Sequence, residues 1–436
     1  MSLGKKKENL VFCRLTSVTM LFAISLIIAS LVRVGASVSR PPSIYIEPPF
    51  EIYYKVGESV ELSCQADGEP KPTYDWSRNE IVFNPSANDD RIVQLSDAGT
   101  LVINRTEDKD EGIYQCFAKN DFGRSASKIV NLRQAKLASF AFARPTYHTP
   151  LLGRPYTLFC VPPESVPPAT VFWITKTAQG GFNVVNYDSR VSVDREYRLR
   201  ITNVKREDFN NGLPYACNAV NDVLRIGSEG PLHYLTPTGV TEDFMPVEYF
   251  WADQDDRFGL LGSNFSIKCI FSGNPTPDVH WERADNKTMS DRCDSLTNEL
   301  KITNLQYEDA GIYECWATNY VSLTPKYRTF NLRVNAKPYF TKEPTDVELS
   351  EGETAEFTCL AGGVPEPNIL WSINGIALND VIDPRITGPR FKHPQENKIL
   401  LENVELSDFM VIQCNASNIH GYVFADFYLK VSSKIR

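Results

Sequence analysis

The chain has 436 residues, too many for one compact core and suited to three or four domains of ordinary size. At 42% hydrophobic and 23% charged residues, with proline and glycine scattered, the composition excludes disordered, fibrous and low-complexity classes. A formal charge of -9 disfavours nonspecific binding to nucleic acid or anionic lipid.

In chain order, the first element is a basic segment, Lys5, Lys6, Lys7 and Arg14, followed by an apolar run from Met20 to Val32. Val34 and Ala36 supply the small residues of a cleavage site, so residues 1–36 read as a secretory signal peptide cut after Ala36. The competing reading, an uncleaved anchor, needs about 20 apolar residues, and the run is shorter. Cleavage leaves 40 basic against 53 acidic residues, a net charge of -13. No second apolar segment follows, so the mature chain is expected to lack a membrane span and to be secreted, or held at the cell surface if it is the truncated form of a longer, anchored protein.

The rest of the chain is a fourfold repeat. Apart from Cys13 in the signal segment, the cysteines fall into the pairs Cys64/Cys116, Cys160/Cys217, Cys269/Cys315 and Cys359/Cys414, separated by 46 to 57 residues, with Cys293 left over. A tryptophan follows each first cysteine by 12 or 13 residues: Trp76, Trp173, Trp281 and Trp371. This Cys…Trp…Cys spacing is the immunoglobulin pattern, in which an indole packs on a disulfide joining two sheets. Prolines six residues before each tryptophan (Pro70, Pro167, Pro275, Pro365) mark turns, and alternating pairs such as Leu101/Ile103 and Leu300/Ile302 mark half-buried strands. Each second cysteine opens a C-x-A-x-N run. Tyr114, Tyr215 and Tyr313 precede the second cysteine by two residues, at the tyrosine-corner position, where the fourth repeat has Ile412. Each disulfide closes a long loop and removes about 4 kcal/mol of unfolded-state freedom in the loop-entropy model. Such bonds require an oxidising compartment, in agreement with the signal peptide.

Four arginine–aspartate pairs recur: Arg91/Asp110, Arg190/Asp208, Arg292/Asp309 and Arg385/Asp408. In immunoglobulin domains these positions meet as a structural bridge at the bottom of the sandwich. The expected fold is therefore all-β: four tandem immunoglobulin-like (I-set-type) sandwiches over residues 41–134, 135–233, 247–335 and 336–433. The gap from second to next first cysteine is 44 residues at the outer junctions and 52 at the middle one. The eight extra residues, worth up to ~26–29 Å of extended chain, make 234–246 a hinge linker that lets one stiff domain pair fold back on the other.

The segments EIYYKVGESVELSCQADGEPKPTYDW, KPYFTKEPTDVELSEGE, GVPEPNILWSINGIAL and CNASNIHGYV make the chain resemble the first four immunoglobulin domains of neuroglian-type neural adhesion molecules. It is similar, less closely, to hemolin-type insect immune proteins. The resemblance covers residues 40–433 and implies a horseshoe, with domain 1 on domain 4 and domain 2 on domain 3. It further implies homophilic binding or binding to other immunoglobulin-superfamily surface proteins, in cell adhesion and axon guidance. The hemolin-type alternative is soluble immune recognition of a microbial lipid or glycan.

Single residues need separate readings. Cys293 follows Arg292 where the other repeats have Ile92, Val191 and Ile386, so it reads as a small buried hydrophobe, with an intermolecular disulfide as the alternative. Asn104, Asn264, Asn286 and Asn415 begin sequons for N-linked glycans, and Asn415, beside a core cysteine, should point outward. Asp253, Asp255 and Asp256 lack a calcium-loop pattern and read as a solvated start to domain 3. Trp251 either plugs the interface between domains 2 and 3 or packs on its own sandwich. Five dispersed histidines lack zinc spacing, and no catalytic or cofactor fingerprint occurs, so no enzyme, metal or cofactor is expected.

Overall fold

The computed structural model describes residues 39–433 except 86–88, 97, 142–143, 237, 239–242 and 297; the signal-peptide expectation lies outside them. Strands carry the described chain, and helix is confined to short 3-10 turns and the four-residue helix Pro384–Thr387. In domain 1 one sheet runs Glu51–Tyr54, Val130–Gln134, Gly112–Asn120, Thr73–Arg78, Ile81–Phe83. Facing it are Val60–Leu62, Leu101–Ile103 and Ile92–Gln94. The same two-layer plan recurs three times. In every copy the last long strand pairs in parallel with an early one, as Val130–Gln134 does with Glu51–Tyr54.

Register places each core tryptophan directly opposite the second cysteine of its domain: Trp76 faces Cys116, Trp173 faces Cys217, Trp281 faces Cys315 and Trp371 faces Cys414. The four cysteine pairs are bridged between the sheets, with Cα atoms 6.0 to 6.5 Å apart. All four indoles are buried, and Trp76 Nε1 donates to Gly99 O, Trp173 Nε1 to Tyr197 O and Trp371 Nε1 to Glu396 O. Satisfying this N–H allows a large polar-tipped ring to sit in an apolar core. The hydroxyls of Tyr114 and Tyr313 donate to the carbonyls of Asp110 and Asp309, both at 2.8 Å, while Ile412 fills that place in domain 4 with no polar group to satisfy.

A charged bridge closes the bottom of each sandwich. Arg91 Nη1 lies 2.8 Å from Asp110 Oδ2, Arg190 Nη1 2.6 Å from Asp208 Oδ2, and Arg292 Nη2 2.8 Å from Asp309 Oδ1. Each carboxylate also accepts a backbone N–H three residues upstream, from Glu107, Lys205, Gln306 and, in domain 4, Glu405. Burial pushes the Asp110 carboxyl up, but the Arg91 and Glu107 hydrogen bonds outweigh it and hold the group below its ordinary range.

Domain 4 corrects the expected pair. Asp408 is bridged by Arg390, at 2.8 Å, and not by Arg385, which pairs with Asp383 at the cap of the Pro384–Thr387 helix. That helix is an extra turn ahead of the bridge strand, and it displaces the arginine by five residues. The separations of the four true pairs are then 19, 18, 17 and 18. By the same shift Phe391 follows the bridging arginine, in the place expected for Ile386, which is buried within the helix.

The outer joints leave little slack. Between domains 1 and 2 only Ala135 separates Val130–Gln134 from the next strand, Lys136–Leu137. Domains 3 and 4 share one strand, Lys326–Lys342, which pairs with Gly311–Thr318 on the domain 3 side and Leu360–Val364 on the domain 4 side. No strand end marks residue 335. At the middle junction Ile226–Leu235 and Met245–Ala252 trim the expected hinge from both sides.

Replacing Arg390 with Ala strands the fully buried Asp408 carboxylate and is expected to cost domain 4 about 3 kcal/mol. Arg385→Ala, which breaks a partly exposed pair, should cost under about 1 kcal/mol. Calorimetry of the purified chain distinguishes them, and equal effects would contradict the assignment.

Candidate interaction surfaces

In domain 1 the inward Cys116 and Ala118 force Gln115, Phe117 and Lys119 onto the outer face of the strand Gly112–Asn120. In domain 4 the inward Ile412, Cys414 and Ala416 do the same for Val411, Gln413 and Asn415. These two outer faces meet. Phe117 and Val411, though outward, are 7% and 1% exposed. Gln413 donates to Ala126 O at 3.0 Å, and Ser125 Oγ donates to Asp426 at 2.6 Å. Ring contacts close both ends: Phe122 with Phe409 at 5.3 Å and Phe50 with Tyr422 at 5.9 Å. Close approach requires glycine, because a Cβ at Gly123 would stand 3.0 Å from both Val411 Cγ2 and Asn374 Oδ1. The Arg124 guanidinium lies 3.7 Å from the Phe117 ring centroid, and burial lowers its pKa. Burial likewise raises the Asp426 carboxyl and pushes the Tyr422 phenol up to about 12.

The domain 2–domain 3 seam is built differently, from charge. Arg195 forks onto Asp253, Nε to Oδ1 and Nη2 to Oδ2, both at 3.0 Å, and also donates to Ser266 O at 2.7 Å. Lys268 Nζ donates to Val193 O at 2.8 Å, and Asn298 to Ser189 O at 2.9 Å. Burial lowers the Lys268 pKa. Asp253 is therefore not part of a solvated segment: its side chain is 1% exposed, while Asp255 and Asp256 are exposed and pair with Arg328 and Arg333. The aromatic that reaches domain 2 is Phe250, under the Arg200 guanidinium at 5.0 Å. Its neighbour Trp251 is half-buried, on a strand paired to Phe265–Asn274.

The sequon asparagines scatter. Asn264 and Asn286 are exposed, Asn104 is half-buried and accepts from Ser59, and Asn415 lies on the domain 1–domain 4 seam. Cys293 is half-buried, packs against the domain 3 core with its Sγ 3.5 Å from Ser290 Oγ, and is free. Two of the dispersed histidines come together: parallel pairing of Thr146–His148 with the strand holding His233 puts His148 Nε2 3.0 Å from His233 Nδ1. Burial pulls His233 down to about 4 and His148 below its usual value. Among the described residues no group of three ligating side chains is placed to hold a metal ion. Nor is any described helix long and apolar enough to cross a membrane.

An immunoglobulin domain family model matches residues 41–120 and 253–319, and an immunoglobulin I-set model matches 338–431. Neuroglian of Drosophila melanogaster is 33% identical over 413 residues, 91% of this chain and 31% of that protein. Neurofascin of Gallus gallus is 28% identical across 92% of this chain and 30% of its own length. Neuronal cell adhesion molecule of Mus musculus is 29% identical, over 90% and 32%. The chain thus spans about a third of the length of these relatives. Among solved structures, the insect immune protein hemolin superposes with a TM-score of 0.73 at 23% identity, covering 90% of this chain and all of that one. Sidekick-1 immunoglobulin domains 1–4 give 0.68 at 25% identity, over 90% and 99%.

Arg195→Ala leaves the buried Asp253 carboxylate with the Lys268 backbone N–H and the more distant Arg257 guanidinium, 3.9 Å away, and should cost about 2 kcal/mol of domain 2–domain 3 association. Lysine at 195 should recover only part, since it cannot fork. Hydrogen exchange across 188–195 and 250–268 reads the effect. Because closure raises the Asp426 pKa, the closed form is favoured as pH falls toward that raised value and disfavoured above it. Asp426→Asn should remove this dependence and keep the seam closed at neutral pH, as followed by small-angle scattering between pH 4 and 8. A pH response unchanged in the variant would exclude Asp426 as its source.

Proposed function

Because the chain belongs to the immunoglobulin superfamily and aligns along 91% of its length with neuroglian, we propose that it is an extracellular cell adhesion and recognition protein. It acts by homophilic or heterophilic protein–protein contact through its immunoglobulin domains, in neural cell adhesion and axon guidance, and it is not an enzyme. The observation that carries this reading is alignment across 90% of the chain, all four domains included, with a protein named as a neuronal cell adhesion molecule. The partner class is an immunoglobulin-superfamily surface protein, a second copy of this chain included. On this reading the chain is secreted after cleavage at Ala36, and N-linked glycans occupy the exposed Asn264 and Asn286 and the half-buried Asn104. The four-domain arrangement shared with hemolin favours one second reading, soluble immune recognition of microbial surface lipid or glycan.

Beads coated with the purified mature chain test both. Clustering of the beads with one another is the expected result. Capture of bacteria without mutual clustering would replace adhesion by immune recognition, and neither response would leave only a heterophilic surface partner.

A further inference from the structure

Asn415 heads an Asn-Ala-Ser sequon and is half-buried on the strand face whose neighbours dock on domain 1. Along its own strand, Gln413, two residues before it on the same face, is 1% exposed and bonded to Ala126 O. Across the ladder, Asn415 faces Phe424, Gln413 faces Asp426 and Ser417 faces Tyr422. Asp426 is held by Ser125 and Tyr422 packs on Phe50, so the Asn415–Phe424 pair sits between two docked pairs. The Asn415 Oδ1 is buried and has no hydrogen-bond partner, a costly state for an amide. The open side is toward Leu370, its other cross-strand neighbour, which is 59% exposed. The bare carboxamide fits this seam with Asn415 half-buried, and an oligosaccharide on Nδ2 would have to leave between Gln413 and Tyr422 past Leu370.

We propose that Asn415 is a glycosylation site whose occupancy excludes closure of the domain 1–domain 4 seam, so that the chain exists as a closed unglycosylated form and an open form glycosylated at Asn415. The donor is a lipid-linked oligosaccharide of the secretory pathway. Asn415 Nδ2 bonds to the anomeric carbon of the first N-acetylglucosamine, the bond from that carbon to the lipid diphosphate breaks, and Nδ2 loses one proton as the lipid diphosphate leaves. Transfer to the nascent chain precedes docking of domain 4 on domain 1, so the choice is made before the horseshoe closes. The released face carries Phe117, Val411 and Tyr422, the apolar part of the seam. Glycosylation thereby decides whether that face is covered from within the chain or offered outward. The inference rests on the secretory reading for access to the donor and is independent of any adhesive partner.

The experiment uses the full mature chain secreted from eukaryotic cells, with Asn104, Asn264 and Asn286 changed to Gln so that Asn415 is the sole sequon. Lectin chromatography separates retained from unretained protein, glycopeptide mass spectrometry locates the sugar, and small-angle scattering measures the radius of gyration of each pool. The retained pool should carry its glycan on Asn415 and have the larger radius. Asn415→Gln and Ser417→Ala, which abolish the sequon by different atoms, should each give only the compact form. Absence of sugar on Asn415, or a retained pool as compact as the unretained one, would overturn the proposal. Bead clustering is not read in this experiment, so failure here leaves the adhesive reading standing, and the reverse.

Discussion

In each sandwich the disulfide and the tryptophan occupy one register, the indole opposite the second cysteine, and that pin orients everything outside the core. Strand side chains alternate, so a cysteine held inward forces its neighbours outward. Cys116 thereby sends Phe117 out of domain 1, and Cys414 sends Gln413 and Asn415 out of domain 4. A one-residue slip would turn these faces inside out. Covalent bridges between the sheets prevent the slip, and the interdomain surface is thus a by-product of core registration.

The two seams of the horseshoe draw on different physics. Domains 1 and 4 meet through rings, small residues and a few hydrogen bonds, with one buried carboxylate, Asp426, set against the contact. Domains 2 and 3 meet through a forked Arg195–Asp253 pair and lysine and asparagine donors to main-chain carbonyls. The first is the less specific and draws on apolar burial. The second is demanding in geometry, because a buried charge without its partner is expensive. The seams therefore need not open together.

Much of this was legible in the sequence because it repeats. Four copies of cysteine, tryptophan and proline at fixed offsets define the sandwiches, and the gap lengths define the stiff outer joints. What failed did so where one copy departs from the others. Arg385 was the wrong partner for Asp408 because the extra turn at Pro384–Thr387 shifts the register, and a separation of 18 residues, within the 17 to 19 of the other repeats, pointed to Arg390. Asp253 was misjudged because a carboxylate partnered from another domain carries no local signal. The His148–His233 pair, within one domain, was invisible because only parallel strand pairing joins residues 85 apart in sequence. Asn415 was correctly expected to face outward, but which domain lies over that face is not written in the alternation.

The shared strand Lys326–Lys342 has a mechanical consequence. Its backbone hydrogen bonds run across the strand, to domain 3 at one end and domain 4 at the other. A pull along the chain therefore loads both ladders in shear, many bonds at once, and unzips neither. Among the described residues between Leu235 and Met245 no strand joins domain 2 to domain 3 in this way. Under tension the shared strand therefore holds domains 3 and 4 together as one stiff rod.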